Sequence, residues 1–364
     1  MRIYPNQLQK KKFKEWINTT RYVYNKGVDY IRKNGYDSIN FYQLRDRFVT
    51  SKGNDLTDWE LNVPKDIRAG GLRDLIKAYK TSFTNLQNGN ISKFNIGFRT
   101  KKSGYQSIEI PKSAIKSDDK FERTFNVFKT YGLGNIKMCK RDSIPSNVTK
   151  FDLRISQKNG RWYLLIPFEC EIKNNASKDH CSLDPGIRKF QTIYSLKEVK
   201  KVTTNYELLR KLKDKIGKLA KLRTSKMISK SVYSRKISKL WTKHNDLVTD
   251  CHNKLSNYLA KNYTLVYIPK FESQKLTRKM NRTCNFNILN LQHYKFKERL
   301  KNKCIEYSST MKECTEEFTS KTCTRCGQIN EVGSQEIYKC SSCQLTIDRD
   351  INGARNIYLK CKNC

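Results

Sequence analysis

Residues 319–356 read TSKTCTRCGQINEVGSQEIYKCSSCQLTIDRDINGARN, in which two pairs of cysteines are followed at once by an acidic segment. The cysteines form the pattern C-x2-C-x13-C-x2-C, which is typical of two short loops that close one tetrahedral zinc site. The acidic segment contains Asp348 and Asp350, the kind of residue that holds a divalent metal. The stretch therefore predicts a second metal ligand directly after a zinc ribbon, whose ligands are Cys323, Cys326, Cys340 and Cys343.

Two disulfides are the alternative interpretation of the four cysteines. The chain starts MRIYPNQLQKKKF, which is polar and basic and unlike a secretory signal, so we expect an intracellular, reducing compartment and a bound metal. A third C-x-x-C pair, Cys361 and Cys364, is interpreted as part of a tail. Isolated cysteines such as Cys170 and Cys251 are interpreted as packed thiols.

The chain is strongly basic. Its 364 residues include 73 Lys and Arg against 34 Asp and Glu, which gives a formal net charge of +39. Such an excess repels itself in the compact state unless a polyanion neutralises it, and nucleic acid is the polyanion that fits best. We expect no membrane partner, because the longest apolar runs are far shorter than the roughly 20 residues that cross a bilayer.

The first half of the chain changes from helical to β-rich character. Apolar side chains at helical spacing predict helices at 8–33, 42–48 and 64–86. Short β-rich segments separated by Gly, Asn, Asp and Pro follow, which indicates a small barrel or sandwich. The predicted strands cover residues 94–98, 107–110, 125–128, 135–138, 150–155 and 162–168.

The second half mixes strands with long helices. CSLDPGIRKFQTIYSL, residues 181–196, predicts a strand that carries Asp184, then a turn and a second strand. Two basic helices at 207–223 and 232–259 are predicted to form an antiparallel hairpin that faces nucleic acid. A strand at TLVYIP, a helix at LQHYKFKERLKNKC and a strand ending in TEEFTSKTC then lead into the ribbon.

In this order the motifs resemble those of a known family. DPGIR, TSKTCTRCG and DRDINGARN, with IYPNQLQKKKFKEW and VPKDIRAGGLRDLIKAYK in the first half, are similar to motifs of the TnpB proteins of insertion sequences and of their eukaryotic and viral relatives, the Fanzor proteins. The resemblance covers nearly the whole chain. It implies an α+β multidomain fold, with an N-terminal helical recognition region and a small β-barrel (wedge), then a C-terminal RNase H-like (RuvC) α/β domain with an inserted zinc ribbon.

The resemblance also implies domain boundaries. The first barrel strand is expected at 1–8, the inserted helical recognition region at 9–90, the β-barrel (wedge) at 91–172, a linker at 173–180, the RuvC-like nuclease with its helical hairpin at 181–318, the zinc ribbon at 319–347, and the last RuvC segment with the C-terminal tail at 348–364.

The family implies RNA-guided cleavage of DNA. The expected partners are a guide RNA encoded near the gene of the protein and a double-stranded DNA target with a short flanking motif, with one protein bound per guide RNA. The expected cofactors are one structural Zn²⁺ and two catalytic Mg²⁺ ions, because hydrolysis of phosphodiesters by two metals needs carboxylates from distant parts of the sequence. The expected compartment is the cytoplasm in a prokaryote and the nucleus in a eukaryotic or viral setting.

Asp184 and Asp350 match the first and third acids of the family's catalytic centre. Asp350 is chosen because it stands immediately before the Ile-Asn that opens the last helix, and Asp348 is interpreted as a residue of the ribbon edge or of the surroundings of the metals. Both chosen aspartates are expected to bind magnesium.

The second acid departs from the common pattern. The strand that ends in Glu-Asp-Leu in most of the family ends LVYIPKFES here, with Pro269 at the position of the Glu. Fanzor-type members carry a Glu in a motif similar to TEEFTSKTC, so Glu316 is the predicted catalytic and magnesium-binding residue, with Glu272 as the alternate. Glu317 ranks behind both, because neighbours on a strand face opposite sides.

His252 resembles a family histidine, and we interpret it as a helix-packing or phosphate-contacting residue rather than a catalytic one. Two alternatives from other functional classes stay open. One is a zinc-ribbon nucleic-acid-binding protein without catalysis, and the other is a guide-independent recombinase or resolvase.

Overall fold

A computed structural model describes residues 1–50, 56–115, 124–139, 150–186, 189–203, 206–270, 282–315, 317–333 and 335–362. The chain divides into two compact units, Met1–Glu169 and Cys170–Cys364. Among the helices that the structure describes, none is both long and apolar enough to cross a lipid bilayer.

A long helix organises the first unit. Helix α1 (Gln7–Asn34) begins at a capping box, in which the side chains and backbone N–H groups of Asn6 and Gln9 form reciprocal hydrogen bonds of 2.8 Å. Phe13 and Trp16 on its apolar side are fully buried, as their spacing predicts. The other helices of this unit are α2 (Phe41–Arg45), a π-helical turn (Asp46–Thr50), α3 (Asp58–Leu61) and α4 (Lys65–Gln87).

The backbones of helices α1 and α4 are in direct contact. A Cβ atom on Gly71 of α4 would lie 2.5 Å from the backbone oxygen of Thr20 in α1, so only glycine fits there. The Thr20 hydroxyl donates a hydrogen bond of 3.1 Å to the backbone oxygen of Ile67. The second glycine of VPKDIRAGGLRD therefore serves the packing of these helices.

The strands of the first unit form one antiparallel sheet in the order β2-β5-β6-β1-β4-β3. Its inner face packs on Phe13 and Trp16 of α1. Within the described residues the order ends at β2 and β3, so closure into a barrel stays a prediction. The strands are β1 (Arg2–Tyr4), β2 (Tyr105–Ile110), β3 (Thr124–Phe125), β4 (Ile136–Met138), β5 (Leu153–Lys158) and β6 (Arg161–Leu165).

The predicted strand at 94–98 is wrong. Those residues form no strand, because other contacts take the place of a ladder. The ring of Phe94 lies 5.0 Å from that of Phe83 in an edge-to-face arrangement, and Arg32 donates a hydrogen bond of 2.9 Å to the backbone oxygen of Ile96. Side-chain packing thus overrides the β propensity of this segment.

The second unit contains a five-stranded sheet in the order β11-β10-β7-β8-β9. Strands β7, β10 and β11 are parallel to one another, while β8 and β9 pair antiparallel. The carboxyl ends of the three parallel strands therefore meet at one edge of the sheet. The strands are β7 (His180–Pro185), β8 (Gln191–Tyr194), β9 (Val199–Val202), β10 (Leu265–Pro269) and β11 (Thr310–Cys314).

Helices and a small ribbon surround this sheet. Helices α5 and α6 pack on each other across a short connection, which confirms the predicted hairpin. The single helix predicted at LQHYKFKERLKNKC is wrong at its start, because Gln292 adopts a left-handed backbone (φ 53°) and separates α7 from α8. The remaining elements are α5 (Tyr206–Thr224), α6 (Lys230–Asn262), α7 (Arg282–Leu291), α8 (His293–Glu306), β12 (Ile337–Lys339), β13 (Thr346–Asp348) and α9 (Arg349–Lys362).

Two predictions for cysteines need correction. Cys170 is exposed rather than packed, since it lies in an extended segment between β6 and β7, whereas Cys251 is partly buried in α6. Cys361 is buried on α9 beside Tyr267 and Tyr358, so it belongs to the core and not to a tail. Cys364 lies outside the described residues.

Candidate metal centres

The four cysteines of the ribbon converge on one point. Their sulfur atoms all lie within 4.8 Å of one another. The Sγ atoms of Cys323 and Cys343 are 3.5 Å apart and those of Cys326 and Cys340 are 3.6 Å apart. Four thiolates about 2.3 Å from a tetrahedral zinc ion are separated by about 3.8 Å, whereas a disulfide needs about 2.05 Å. The geometry fits zinc, and the disulfide alternative is wrong because all four cysteines are free.

Backbone and side-chain groups around the cysteines support a bound metal. The backbone N–H of Arg325 donates to Cys323 Sγ at 3.4 Å. Backbone N–H donors, that of Cys343 first, lower the pKa of the Cys340 thiol, whereas burial and hydrogen bonds with the other thiols raise the pKa of Cys343. The four thiols therefore interact closely, as the ligands of one metal do. Tyr338 is buried beneath the site and donates from its hydroxyl to the backbone oxygen of Lys321 at 3.1 Å.

Two asparagines of DRDINGARN join helix α9 to the first knuckle of the ribbon. Asn352 Nδ2 donates to the backbone oxygen of Thr322 at 2.8 Å, and its Oδ1 accepts from the backbone N–H of Thr324 at 3.2 Å. Asn356 Nδ2 donates to the backbone oxygens of Thr319 and Thr322 at 2.8 and 2.7 Å. The two asparagines are four residues apart, so they lie on one face of the helix. The motif therefore fastens the zinc ribbon to the helix that carries Asp350.

The same helix contacts the strand that carries Asp184. A Cβ atom on Gly353 would lie 2.7 Å from Asp184 Oδ2 and 3.4 Å from its Cγ, so the half-buried carboxylate rests against the helix backbone. Ser182 of β7 donates a buried hydrogen bond of 2.6 Å to the backbone oxygen of Ala354. Asp350 precedes Gly353 by three residues and shares its face of the helix. Asp184 is thus held at the turn of α9 that begins with Asp350.

Asp348 has a different place from Asp350. It is the last residue of β13, and its Oδ1 accepts hydrogen bonds from the backbone N–H groups of Asp350 (3.0 Å) and Ile351 (3.2 Å). Lys201 of β9 forms an ion pair with its other oxygen. Burial raises the pKa of Asp348, but the bonds from Lys201 and the helix N–H groups outweigh it and lower that pKa. Asp348 therefore caps α9, at the ribbon edge where it was predicted.

The structure does not describe the predicted second acid. Glu316 and Glu272 both lie outside the described residues. Strand β11 ends at Cys314, so it does not extend into TEEFTSKTC as predicted, and Glu317 is exposed in the following turn. The backbone N–H of Lys270 donates to the backbone oxygen of Cys314 at 3.0 Å, so strands β10 and β11 are still adjacent where they end.

Three family models match separate parts of the chain. They describe a helix-turn-helix domain at residues 1–37, a probable transposase (OrfB_IS605) at residues 165–283 and a Cas12f1-like TNB domain at residues 293–357. A625R of Paramecium bursaria Chlorella virus 1, a candidate transposase by name, is 29% identical over 99% of this chain and 85% of its own. TnpB-like protein L770 of Acanthamoeba polyphaga mimivirus is 25% identical over 98% of this chain and 72% of its own. The chain belongs to the TnpB family.

Two further similarities extend over almost all of this TnpB-family chain. InsQ of Escherichia coli K12, by name a candidate RNA-guided DNA endonuclease, is 22% identical over 97% of this chain and 89% of its own. The structure of a Cas12f1–sgRNA–target DNA complex superimposes with a TM-score of 0.58 and 15% identity, covering 95% of this chain and 81% of that one. At that identity the similarity is one of fold.

Two histidines of the TnpB-family chain lie on either side of one phenylalanine. Phe190 stacks on His252 and on His293, with ring centroids 5.0 Å apart in both pairs. His252 Nε2 is 3.0 Å from the backbone oxygen of Leu291, and burial lowers the pKa of His252 to about 4 and that of His293 to about 3. This confirms the helix-packing role of His252, and the pattern of the sequence did not single out His293.

The sequence alone did not predict the contacts of several residues around the site. The i,i+4 spacing of Asn352 and Asn356 was a visible signal for a shared helix face. Gly353 gave no sign of its contact with Asp184, and Lys201 lies on a strand that was not predicted.

Proposed function

We propose that this TnpB-family chain is an RNA-guided DNA endonuclease that hydrolyses DNA phosphodiesters at an acidic two-metal centre. The observation that carries the proposal is the contact of the Asp184 carboxylate with Gly353, one helical turn after Asp350. Asp184 therefore lies one turn of α9 from Asp350 at the edge of a sheet, and we propose that the two carboxylates face one place. That is the ligand arrangement on which two-metal hydrolysis of phosphodiesters depends.

The sheet of the second unit supports an RNase H-like (RuvC) assignment. Three parallel strands continue into an antiparallel hairpin, and Asp184 lies near the carboxyl end of the central strand β7. Ligands of α/β sheets bind at the carboxyl ends of parallel strands, where loops from neighbouring strands meet. A metal centre at this edge thus follows the general rule.

Each residue of the proposed centre has a separate role. Asp184 and Asp350 offer carboxylate oxygens, which are the ligands that Mg²⁺ prefers, and bound Mg²⁺ would activate water and stabilise the leaving oxygen. Asp348 fixes the first turn of α9 through two backbone N–H groups. The buried hydrogen bond from Ser182 keeps β7 against the same helix.

We propose Glu316 as the third acid, with Glu272 as the alternate. Glu316 follows the end of β11 by two residues, and Glu272 follows the end of β10 by three. Because both strands run parallel to β7, the chain after each of them leaves the sheet at the edge that carries Asp184. The topology supports either residue, and the similarity to Fanzor-type members favours Glu316.

The proposed partners are a guide RNA, encoded near the gene, and a DNA duplex with a short flanking motif. The net charge of +39 supports the contact of many phosphates. Helices α5 and α6 expose basic side chains that fit such a surface. In this class of enzyme base pairing with the guide supplies sequence recognition, so the protein needs mainly backbone contacts.

The test compares aspartates within the full-length protein purified with its RNA. Asp184→Asn and Asp350→Asn are expected to lower magnesium-dependent cutting by a factor of about 100 or more, because each removes a charge that binds metal while keeping the shape. Asp250→Asn, an exposed residue of α6, is the matched control with unchanged cutting. Binding of RNA and target is expected to survive in all three variants.

The alternatives give different results in the same assay. Normal binding without any cutting by the wild-type protein, supplied with its RNA and magnesium, would favour a zinc-ribbon binding protein without catalysis. Normal cutting by Asp184→Asn would place the catalytic centre elsewhere. Cutting by RNA-free protein would favour a guide-independent recombinase. Glu316→Gln and Glu272→Gln, assayed in parallel, decide the third acid: an active Glu316 variant beside an inactive Glu272 variant would move that role to the strand β10.

A further inference from the structure

A cavity of about 380 Å³ lies in the first unit, outside every metal centre. It opens between α1, the segment at 98–100 and the strand β2. Its volume falls within the range of about 300–1,000 Å³ that is typical of ligand-binding cavities. The residues that line it include Arg21, Phe98, Arg99 and Tyr105.

The two arginines of this cavity differ in how their charges are compensated. Arg99 donates to Asp74 at 3.0 Å and lies over the ring of Tyr24 at 3.9 Å. Arg21 donates at 2.9 Å to the amide oxygen of Asn18, and among the described residues it has no acidic partner. Burial lowers the pKa of the Arg21 guanidinium, which means that it is partly removed from water. A partly desolvated cation of this kind favours a bound anion.

The aromatic side chains of the cavity are unusually accessible. Phe98 and Tyr105 are each 49% exposed. Arg32 lies over one face of the Phe98 ring, 4.6 Å from its centre, and so holds that ring in place. Exposed aromatic rings beside an uncompensated arginine are the elements that bind a nucleic-acid base and its phosphate.

We propose that this cavity binds a single unpaired nucleotide of a nucleic acid, with Arg21 on the phosphate and the ring of Tyr105 against the base. The cavity has room for one nucleotide and not for a duplex, whose bases are already stacked on both faces. The inference rests on the proposed function in one respect, namely that the ligand is a nucleic acid. The nucleotide comes from the guide RNA or from a DNA strand, and the two sources share this chemistry.

The experiment measures binding by full-length, nucleic-acid-free protein without added magnesium. The probes are fluorescein-labelled single-stranded RNA and single-stranded DNA of about 20 nucleotides and the corresponding blunt DNA duplex. Arg21→Gln and Tyr105→Ala are expected to weaken single-strand binding by a factor of about 10 and leave duplex binding within a factor of about two. Arg21→Gln is also expected to reduce the salt slope for the affected single strand by about 0.7.

Two further variants keep the result interpretable. Lys14→Gln removes one exposed charge from α1 outside the cavity and is expected to change single-strand affinity by less than a factor of about two. Arg21→Lys retains the charge and is expected to stay within a factor of about three of the wild type. If Arg21→Gln fails to fold, Tyr105→Ala and Arg21→Lys carry the test, because Tyr105 is exposed.

A loss confined to the RNA probe assigns the nucleotide to the guide, and a loss confined to the DNA probe assigns it to a DNA strand. Equal losses for Arg21→Gln and Lys14→Gln, or no loss for Tyr105→Ala, would overturn the proposal. Binding is measured without cutting, so this outcome is independent of whether the Asp184 and Asp350 variants abolish cleavage.

Discussion

The zinc ribbon and the proposed acidic centre share helix α9 but are assembled in opposite ways. The ribbon takes its ligands from two short loops, the second of which is the turn between β12 and β13, so it closes within a single stretch of sequence. The acidic centre needs strand β7 and helix α9, which are far apart in sequence and meet through the tertiary packing of the helix on the five-stranded sheet. The zinc site therefore helps to build the local fold, whereas the acidic centre depends on a fold that already exists.

The two regions are also connected. Asn356 holds the first knuckle of the ribbon against α9, and Gly353, on the same helix, touches Asp184. Damage to the ribbon should therefore reach the acidic centre, while damage to the acids should leave the ribbon intact. The predictions below test this asymmetry.

The largest effect is expected from removal of zinc. Cys326→Ser removes an exposed ligand, and a structural zinc site contributes about 10 kcal/mol to the folding of a small domain. We expect loss of bound zinc, rapid proteolysis between residues 317 and 348, and loss of cutting. Zinc analysis, limited proteolysis and a cleavage assay measure these changes. The control is Cys170→Ser, an exposed free cysteine, which should change nothing. A zinc-free protein that cuts normally would show that the acidic centre does not depend on the ribbon.

The sequence was informative where chemistry is local. The cysteine spacing predicts the ribbon because each C-x2-C pair places two sulfur atoms on one short loop, and the 13 residues between the pairs are enough to bring the two loops together. The break at Gln292 and the missing strand at Phe94 depend on backbone conformation and ring packing, which no periodicity reveals. The family motifs drew attention to Asp184 and Asp350, but the contact at Gly353 depends on the tertiary approach of β7 and α9.

The next effect concerns the connection itself. Asn356→Ala removes two hydrogen bonds from a buried side chain to the backbone oxygens of Thr319 and Thr322. The oxygen of Thr322 keeps its bond from Asn352, so the loss of the buried bond to Thr319 dominates. Removing one partner of a buried hydrogen bond costs about 1–3 kcal/mol, so we expect lower stability and a higher magnesium concentration for half-maximal cutting. Urea denaturation and magnesium titration measure the two effects. Asn262→Ala, which removes an exposed bond to the backbone oxygen of Tyr258, should move neither. A stability loss without a magnesium shift would mean that the ribbon and the acids are independent.

A smaller effect is expected from the pair of Lys201 and Asp348. The side chains are 30% and 31% exposed, and ion pairs of this kind couple by about 0.2–1 kcal/mol. Asp348→Asn keeps an oxygen that can cap α9, and Asn and Asp are about equally good caps, so the exchange acts mainly on the ion pair. A double-mutant cycle with Lys201→Met and Asp348→Asn, followed by thermal denaturation, measures the coupling. The more exposed pair of Lys254 and Asp250 should give less. Additive losses would show that Lys201 does not act through Asp348.

The smallest change tests the acidic centre alone. Gly353→Ala places a Cβ atom 2.7 Å from Asp184 Oδ2, so the carboxylate or the helix backbone has to shift. The helix should gain about 0.5 kcal/mol from the loss of glycine, while displacement of Asp184 should lower cutting by a factor of about three to ten. Gly217→Ala on α5, where a Cβ atom meets nothing within 4 Å, should give the stability gain without the loss of cutting. Thermal denaturation and single-turnover cleavage of both variants distinguish these outcomes. If both variants cut like the wild type, the carboxylate tolerates the shift and Gly353 does not position it. If Gly353→Ala cuts slowly and is also less stable, the contact supports the fold. The proposed division between the ribbon and the acidic centre is then wrong.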